Sequence, residues 1–205
     1  MQAYAKSEMP FLGIQAPVLR RVCRDVFPTY PLSTREEVES AVLQLWREAE
    51  FREERYAALM LAYRYRRLAT PETLALYEEL VVGGAWWDYV DTVAQLIRDQ
   101  LRRFPVETKH AMRAWSLDED IWKRRVSIIC QLGFRGDTDL ELLYDCIEPS
   151  LDSREFFLRR AIGWALRDLA WSNPVEVERY VREHADRLSP LSQREATKHL
   201  ARLLR

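Results

Sequence analysis

The sequence predicts an all-α fold, a HEAT-like α-solenoid of antiparallel helix pairs with a concave face. Three observations predict it. Apolar residues recur at helical spacing from about Thr34 to the end of the chain. Only 6 Gly and 9 Pro interrupt 205 residues, far fewer turn signals than an all-β chain needs. A short motif repeats at a near-constant interval, as expected of stacked helix pairs.

The helical stretches fall near 35–48, 52–67, 71–82, 86–103, 105–115, 119–132, 138–148, 154–170, 174–186 and 191–204. Thr70-Pro71, Gly83-Gly84, Phe104-Pro105, Gly133 to Asp137, Asn173-Pro174 and Ser189-Pro190 separate them. Pro just inside a helix start costs no hydrogen bond, because that N–H has no partner in the helix. Residues 1–31 are less regular. With 48% hydrophobic residues, residues 1–205 suffice for one repeat domain and do not require a second.

The second helices of the pairs align. Arg55-Tyr56-Ala57, Tyr89-Val90-Asp91, Arg124-Arg125-Val126, Arg159-Arg160-Ala161 and Arg194-Glu195-Ala196 lie beneath one another at steps of 34, 35, 35 and 35 residues. Tetratricopeptide repeats share this period, but their Trp, Leu-Gly and Tyr signature is missing from the first helices. In the third column Asp91 stands where Ala or Val is the rule. The first column is Arg in every repeat but one, which predicts a basic stripe along the inner helices. Three residues after the third column stand Met60, Ala94, Ile129, Trp164 and His199, of which Trp164 is the largest.

Formal net charge is −1, so bulk charge predicts no polyanion. The distribution says more. Of 31 basic residues only Lys6, Lys109, Lys123 and Lys198 are Lys. Arg binds phosphate through a planar fork and stacks on flat rings, although a GC-rich genome also enriches Arg. Cys23, Cys130 and Cys146 are odd in number and widely spaced, which predicts buried free thiols in a reducing compartment. Residues 1–6 carry no signal-peptide core, and no apolar run spans a bilayer. These readings predict a cytoplasmic protein with no membrane association and no metal site.

Three neighbourhoods hold candidate chemistry. In Trp86-Trp87-Asp88-Tyr89-Val90-Asp91, Trp87 and Asp91 share a helix face one turn apart. Residues 122–135 carry Lys123, Arg124, Arg125 and Arg135 and no acid. Phe156-Phe157 leads through Arg159-Arg160 to Gly163-Trp164 and Arg167. Their equivalent repeat positions allow Asp91, Arg125 and Trp164 to converge. Each also has a plain reading. Asp91 suits the positive end of a helix dipole, although Asp88 already serves there. The arginines suit a solvated face. Trp46, Trp86, Trp115 and Trp171 read as packing residues. His110, His184 and His199 are isolated and form no nucleophile–base pair.

Together these strings resemble the AlkD-like family of HEAT-repeat DNA glycosylases. The matching residues are Phe11 to Pro17 with Arg20-Arg21, Glu54 to Ala58, Trp86-Trp87-Asp88 with Val90-Asp91, Trp122 to Arg125, Glu155 to Phe157 with Ala161 to Trp164 and Arg167, and Leu191-Ser192 with Arg194 to Ala196. Nearly the whole chain is covered, in order. Family members often carry a longer helical segment before Phe11, which is short here.

The resemblance implies an enzyme of DNA alkylation repair. It would hydrolyse the N-glycosidic bond of cationic purines such as 3-methyladenine and 7-methylguanine, in double-stranded DNA, as a monomer without cofactor or metal. Asp91 would be the catalytic carboxylate, Trp87 and Trp164 an aromatic cleft beside the lesion's sugar, and Arg125 a phosphate holder. Gln15, Arg124, Arg135, Arg159, Arg160 and Arg167 would form the wider DNA surface. A carboxylate among aromatic rings carries a desolvation cost, so neutralising Asp91 is expected to leave stability unchanged or raise it. A protein-interaction scaffold and a non-catalytic DNA binder are the competing functions. Asp91 in an apolar column speaks against the first, and the Trp87, Asp91, Trp164 set against the second.

Overall fold

The computed structural model describes residues 9–204, which are helical with no strand among them. The helices are α1 (Ala16–Val26), α2 (Arg35–Arg47), α3 (Arg52–Arg64), α4 (Leu74–Gly84), α5 (Trp87–Arg103), α6 (Pro105–Ser116), α7 (Ile121–Ile129), α8 (Leu140–Ile147), α9 (Phe156–Ala170), α10 (Pro174–Glu183), α11 (Pro190–Thr197) and α12 (Leu200–Leu203). Their starts are written in the sequence. Pro105, Pro174 and Pro190 each open a helix. Asp120 caps α7 by accepting from the Trp122 and Lys123 amides at 2.7 and 3.1 Å. Ser189 caps α11 through the Ser192 amide at 3.0 Å. Such caps satisfy amides that have no partner inside the helix.

Two regions differ from the sequence reading. The irregular N-terminal stretch contains α1, whose Leu19 and Cys23 are buried. The stretch 191–204 breaks into α11 and α12. The reading of residues 1–6 lies outside the described residues.

The chain separates into two compact units, up to Leu80 and from Val81. In the first, α3 packs on both α1 and α2. Its core includes Val42, Trp46, Ala58 and Leu59. Glu53 is buried at the start of α3 and accepts the amides of Leu12, Gly13 and Ile14 at 3.0, 2.9 and 3.0 Å. Gly13 adopts φ +82°, a left-handed conformation that costs glycine little. One carboxylate thus fixes the Phe-Leu-Gly-Ile segment that leads to Gln15.

In the second unit the motif-bearing helices stack in a row, α5 on α7, α7 on α9 and α9 on α11. A second layer begins with α6 on α8. This order is the pairing expected of a repeat stack. The third column marks the contact line within the row. Val126, Ala161 and Ala196 are fully buried there, while Asp91 is part-exposed. The α9–α11 approach is tight. A β-carbon on Gly163 would stand 2.5 Å from the Glu195 Cβ and 3.0 Å from the Ser192 carbonyl oxygen. Gly163 therefore belongs to packing, and its lack of a side chain brings Glu195 close to the helix that carries Trp164.

Candidate active site

The site is assembled within the second unit from α5, α7, α9 and α11. α5 begins at Trp87, so Asp91 falls in its second turn, beyond the residues that best serve the dipole. Asp88 holds that place and accepts the Tyr89 amide at 2.8 Å. Trp87 opens the helix one turn before Asp91.

Arg125 reaches Asp91 from α7 through both edges of its fork. Its Nε donates to Oδ1 and its Nη2 to Oδ2, each at 2.8 Å. Its Nη1 donates to the Phe157 carbonyl at 2.7 Å. The Arg125 side chain is 1% exposed and that of Asp91 is 23% exposed. The ion pair is thus oriented, with the cation inside and the carboxylate toward solvent. Asp91 keeps lone pairs beyond the two that Arg125 engages. The guanidinium lies 5.3 Å from the Trp164 ring and 5.9 Å from the Phe157 ring, within cation–π range. Behind it Trp86, Trp122 and Phe157 form an aromatic cluster with centroids 4.8–5.9 Å apart.

This geometry bears on two expectations. The Arg125 fork is engaged by Asp91 and the Phe157 carbonyl, so the structure gives it a partner other than the expected phosphate. Asp91 is not an isolated carboxylate among rings, because a buried cation depends on it. Removing its charge would leave Arg125 buried and unpaired, which lowers stability.

Arg160 stands on the same α9 face as Trp164, with its guanidinium carbon 5.0 Å from the ring. Arg160 and Arg167 both pair with Glu195 of α11, the first at 3.6 Å and the second in a shorter contact. Two of the first-column arginines, Arg124 and Arg159, act as clamps rather than as part of a free basic stripe. Arg124 donates to the Pro149 carbonyl at 2.7 Å and to the Ser150 hydroxyl at 2.9 Å. Arg159 donates to the Ser153 carbonyl at 2.7 Å. Tyr89, their counterpart in α5, is fully buried. Arg135 is exposed at a φ of +52°. Gln15, in the first unit, is exposed at the start of α1.

Sequence reasoning missed two contributors to this site, the Phe157 carbonyl and Glu195, and in the first unit it missed Glu53. The second column signals Glu195, since it runs Tyr56, Val90, Arg125, Arg160, Glu195 and places two arginines and an acid on neighbouring helices. Trp171 departs from its packing assignment, for it is 46% exposed and covered in part by His199 and Arg202. The cysteines are buried and free. Burial pushes the Cys146 thiol up to about 12 and the Cys130 thiol well above its usual range. Neither is a ready nucleophile, because the thiolate is the reactive form.

The sequence profile of the DNA alkylation repair enzyme family matches residues 1–200. The chain belongs to this family. A solved structure described as a predicted DNA alkylation repair enzyme from Enterococcus faecalis is similar to it, with a TM-score of 0.88 and 31% identity, covering 98% of this chain and 93% of that one. No curated protein matches the chain. Membership in the DNA alkylation repair enzyme family implies DNA as the substrate. Among the described residues, no helix is long and apolar enough to cross a membrane.

Proposed function

We propose that the protein is a monofunctional DNA glycosylase that excises cationic alkylated purines from double-stranded DNA, acting as a monomer in the cytoplasm. The observation that carries the reading is the orientation of the Asp91–Arg125 pair, a carboxylate held toward solvent by a buried guanidinium that itself lies 5.3 Å from the Trp164 ring. Alkylation at N3 or N7 makes the purine a cation. Breaking its N-glycosidic bond returns the bonding electrons to the base, which leaves neutral and needs no general acid. Positive charge then develops on the deoxyribose. Asp91 stabilises that charge where it appears, and a preorganised group of this kind stabilises the transition state more than the ground state. Water adds to the anomeric carbon and releases its proton, leaving an abasic site. The indole of Trp164, and that of Trp87 one turn before Asp91, supply flat apolar surface and cation–π attraction on the order of 0.5–2 kcal/mol per contact.

Arg125 positions the carboxylate in this scheme. Arg160 and Arg167, with Arg124, Arg135, Arg159 and Gln15 in supporting places, would meet the phosphates. The mechanism sets a substrate rule. Duplexes carrying 3-methyladenine or 7-methylguanine lose the base, and activity survives a chelator. Uracil and hypoxanthine stay in place, because a neutral base needs leaving-group activation that Asp91 and the two indoles do not supply. Base release from all four duplexes, measured by chromatography, tests the rule. Uracil release at a rate comparable to 7-methylguanine would contradict it.

A further inference from the structure

Around Trp164 the charges alternate. Asp91 holds Arg125, whose guanidinium lies 5.3 Å from the indole ring. Arg160 lies 5.0 Å from the same ring and reaches Glu195 at 3.6 Å. Glu195 also pairs with Arg167. Arg160, Trp164 and Arg167 are spaced i, i+4, i+7 on α9, so they share one face. A single carboxylate from α11 therefore restrains the two cations that flank Trp164. Its side chain is only 17% exposed, and its Cβ sits where a side chain at Gly163 would be. The backbone of α9 thus fixes its position.

We propose that Glu195 is a specificity-determining residue that makes the site favour a cationic nucleotide over ordinary DNA. This rests on the glycosylase reading. Two guanidinium groups, those of Arg125 and Arg160, lie against one indole, and Arg167 follows one turn along α9. Together this positive charge repels a cationic base and sugar, while the more exposed Arg160 and Arg167 attract any phosphate. Asp91 offsets one of them. Glu195 offsets a second and competes with phosphate for both Arg160 and Arg167. Undamaged backbone then gains little from these arginines, and a positively charged lesion can approach Trp164. Discrimination comes from what the site denies the wrong ligand as much as from what it offers the right one.

The test compares wild type, Glu195→Gln and Glu195→Asp on a duplex with one 7-methylguanine and on its unmodified counterpart. The Gln variant keeps the Cβ packing against α9 and removes the charge. Its affinity for the unmodified duplex should rise about three- to tenfold, with a steeper dependence on salt because more phosphate contacts form. Single-turnover excision should fall about tenfold as local positive charge increases. The Asp variant retains the charge and should keep wild-type affinity for unmodified DNA. In an Arg160→Gln/Arg167→Gln background, Glu195→Gln should no longer raise that affinity.

Unchanged affinity and excision in the Gln variant would overturn the proposal. So would a gain in affinity that persists without the two arginines. A Gln variant that loses its helical circular dichroism, or an Asp variant that behaves like the Gln one, would assign Glu195 to packing and also overturn it. A wild type that releases no base would sink the glycosylase reading instead, and the affinity measurements on unmodified DNA would still report on Glu195.

Discussion

Asp91→Asn should slow single-turnover release of 7-methylguanine by a factor on the order of 10²–10³, the loss typical when one preorganised electrostatic group is removed. The side chain keeps its size and loses its charge. DNA affinity should stay within a few fold, because the proposed role of Asp91 is toward the sugar and not a phosphate. A residual rate should remain, since these adducts depurinate unaided. Stability should fall as well. Arg125, 1% exposed, would be left with a neutral partner. Breaking a fully buried pair costs about 3–5 kcal/mol, and the 23% exposure of Asp91 brings the expected loss to about 1–3 kcal/mol. At roughly 2–4 °C per kcal/mol for a chain of this size, a thermal melt resolves it. Excision must therefore be measured well below the variant's midpoint. If the pair serves the fold alone, the variant melts early and still excises at the wild-type rate.

The second large effect lies one residue away in space. Arg125→Met keeps an apolar stem beside Trp164 and Phe157 but removes all three of the hydrogen bonds that end at Asp91 and the Phe157 carbonyl. Asp91 would keep its charge and lose its anchor. Misplacing a reacting group by about 1 Å can cost 10²-fold, so excision should fall on the order of 10–100-fold. The melting midpoint should drop by more than in the Asn variant, because the part-buried Phe157 carbonyl is also left without its donor. Binding to undamaged duplex separates the two roles considered for Arg125. A positioning residue leaves that affinity nearly unchanged, whereas a phosphate holder lowers it and flattens its salt dependence.

The sequence carried the fold because helix starts and periodicity are local. Pro105, Pro174 and Pro190 stood at their helix starts, and the 34–35 residue columns became the stacked row α5, α7, α9, α11. The convergence of Asp91, Arg125 and Trp164 was legible for the same reason, since equivalent positions in neighbouring repeats must be adjacent. Which donor goes to which acceptor was not legible. Arg124 and Arg159 looked like a free cationic row, yet their side chains turn back to carbonyls of the nearby turns. Arg125 looked like its neighbour Arg124, but one step along the helix moves a residue by about 100° and points it into the core. Glu195 was passed over although the second column aligns it with Arg160, because the close α9–α11 approach at Gly163 that brings the two together appears only in the structure. Side-chain direction decides these assignments, and a column alignment carries none of it.

Repair of an alkylated base can proceed by removal of the base or by removal of the alkyl group, and the products tell them apart. Wild-type protein should be incubated with a duplex that carries a single 7-methylguanine, and the released bases and the strand should both be analysed by mass. Free 7-methylguanine and an abasic strand in equal amounts are predicted. Recovery of guanine within an intact strand, or a strand left unchanged, would contradict the assignment of Asp91 to glycosidic bond cleavage.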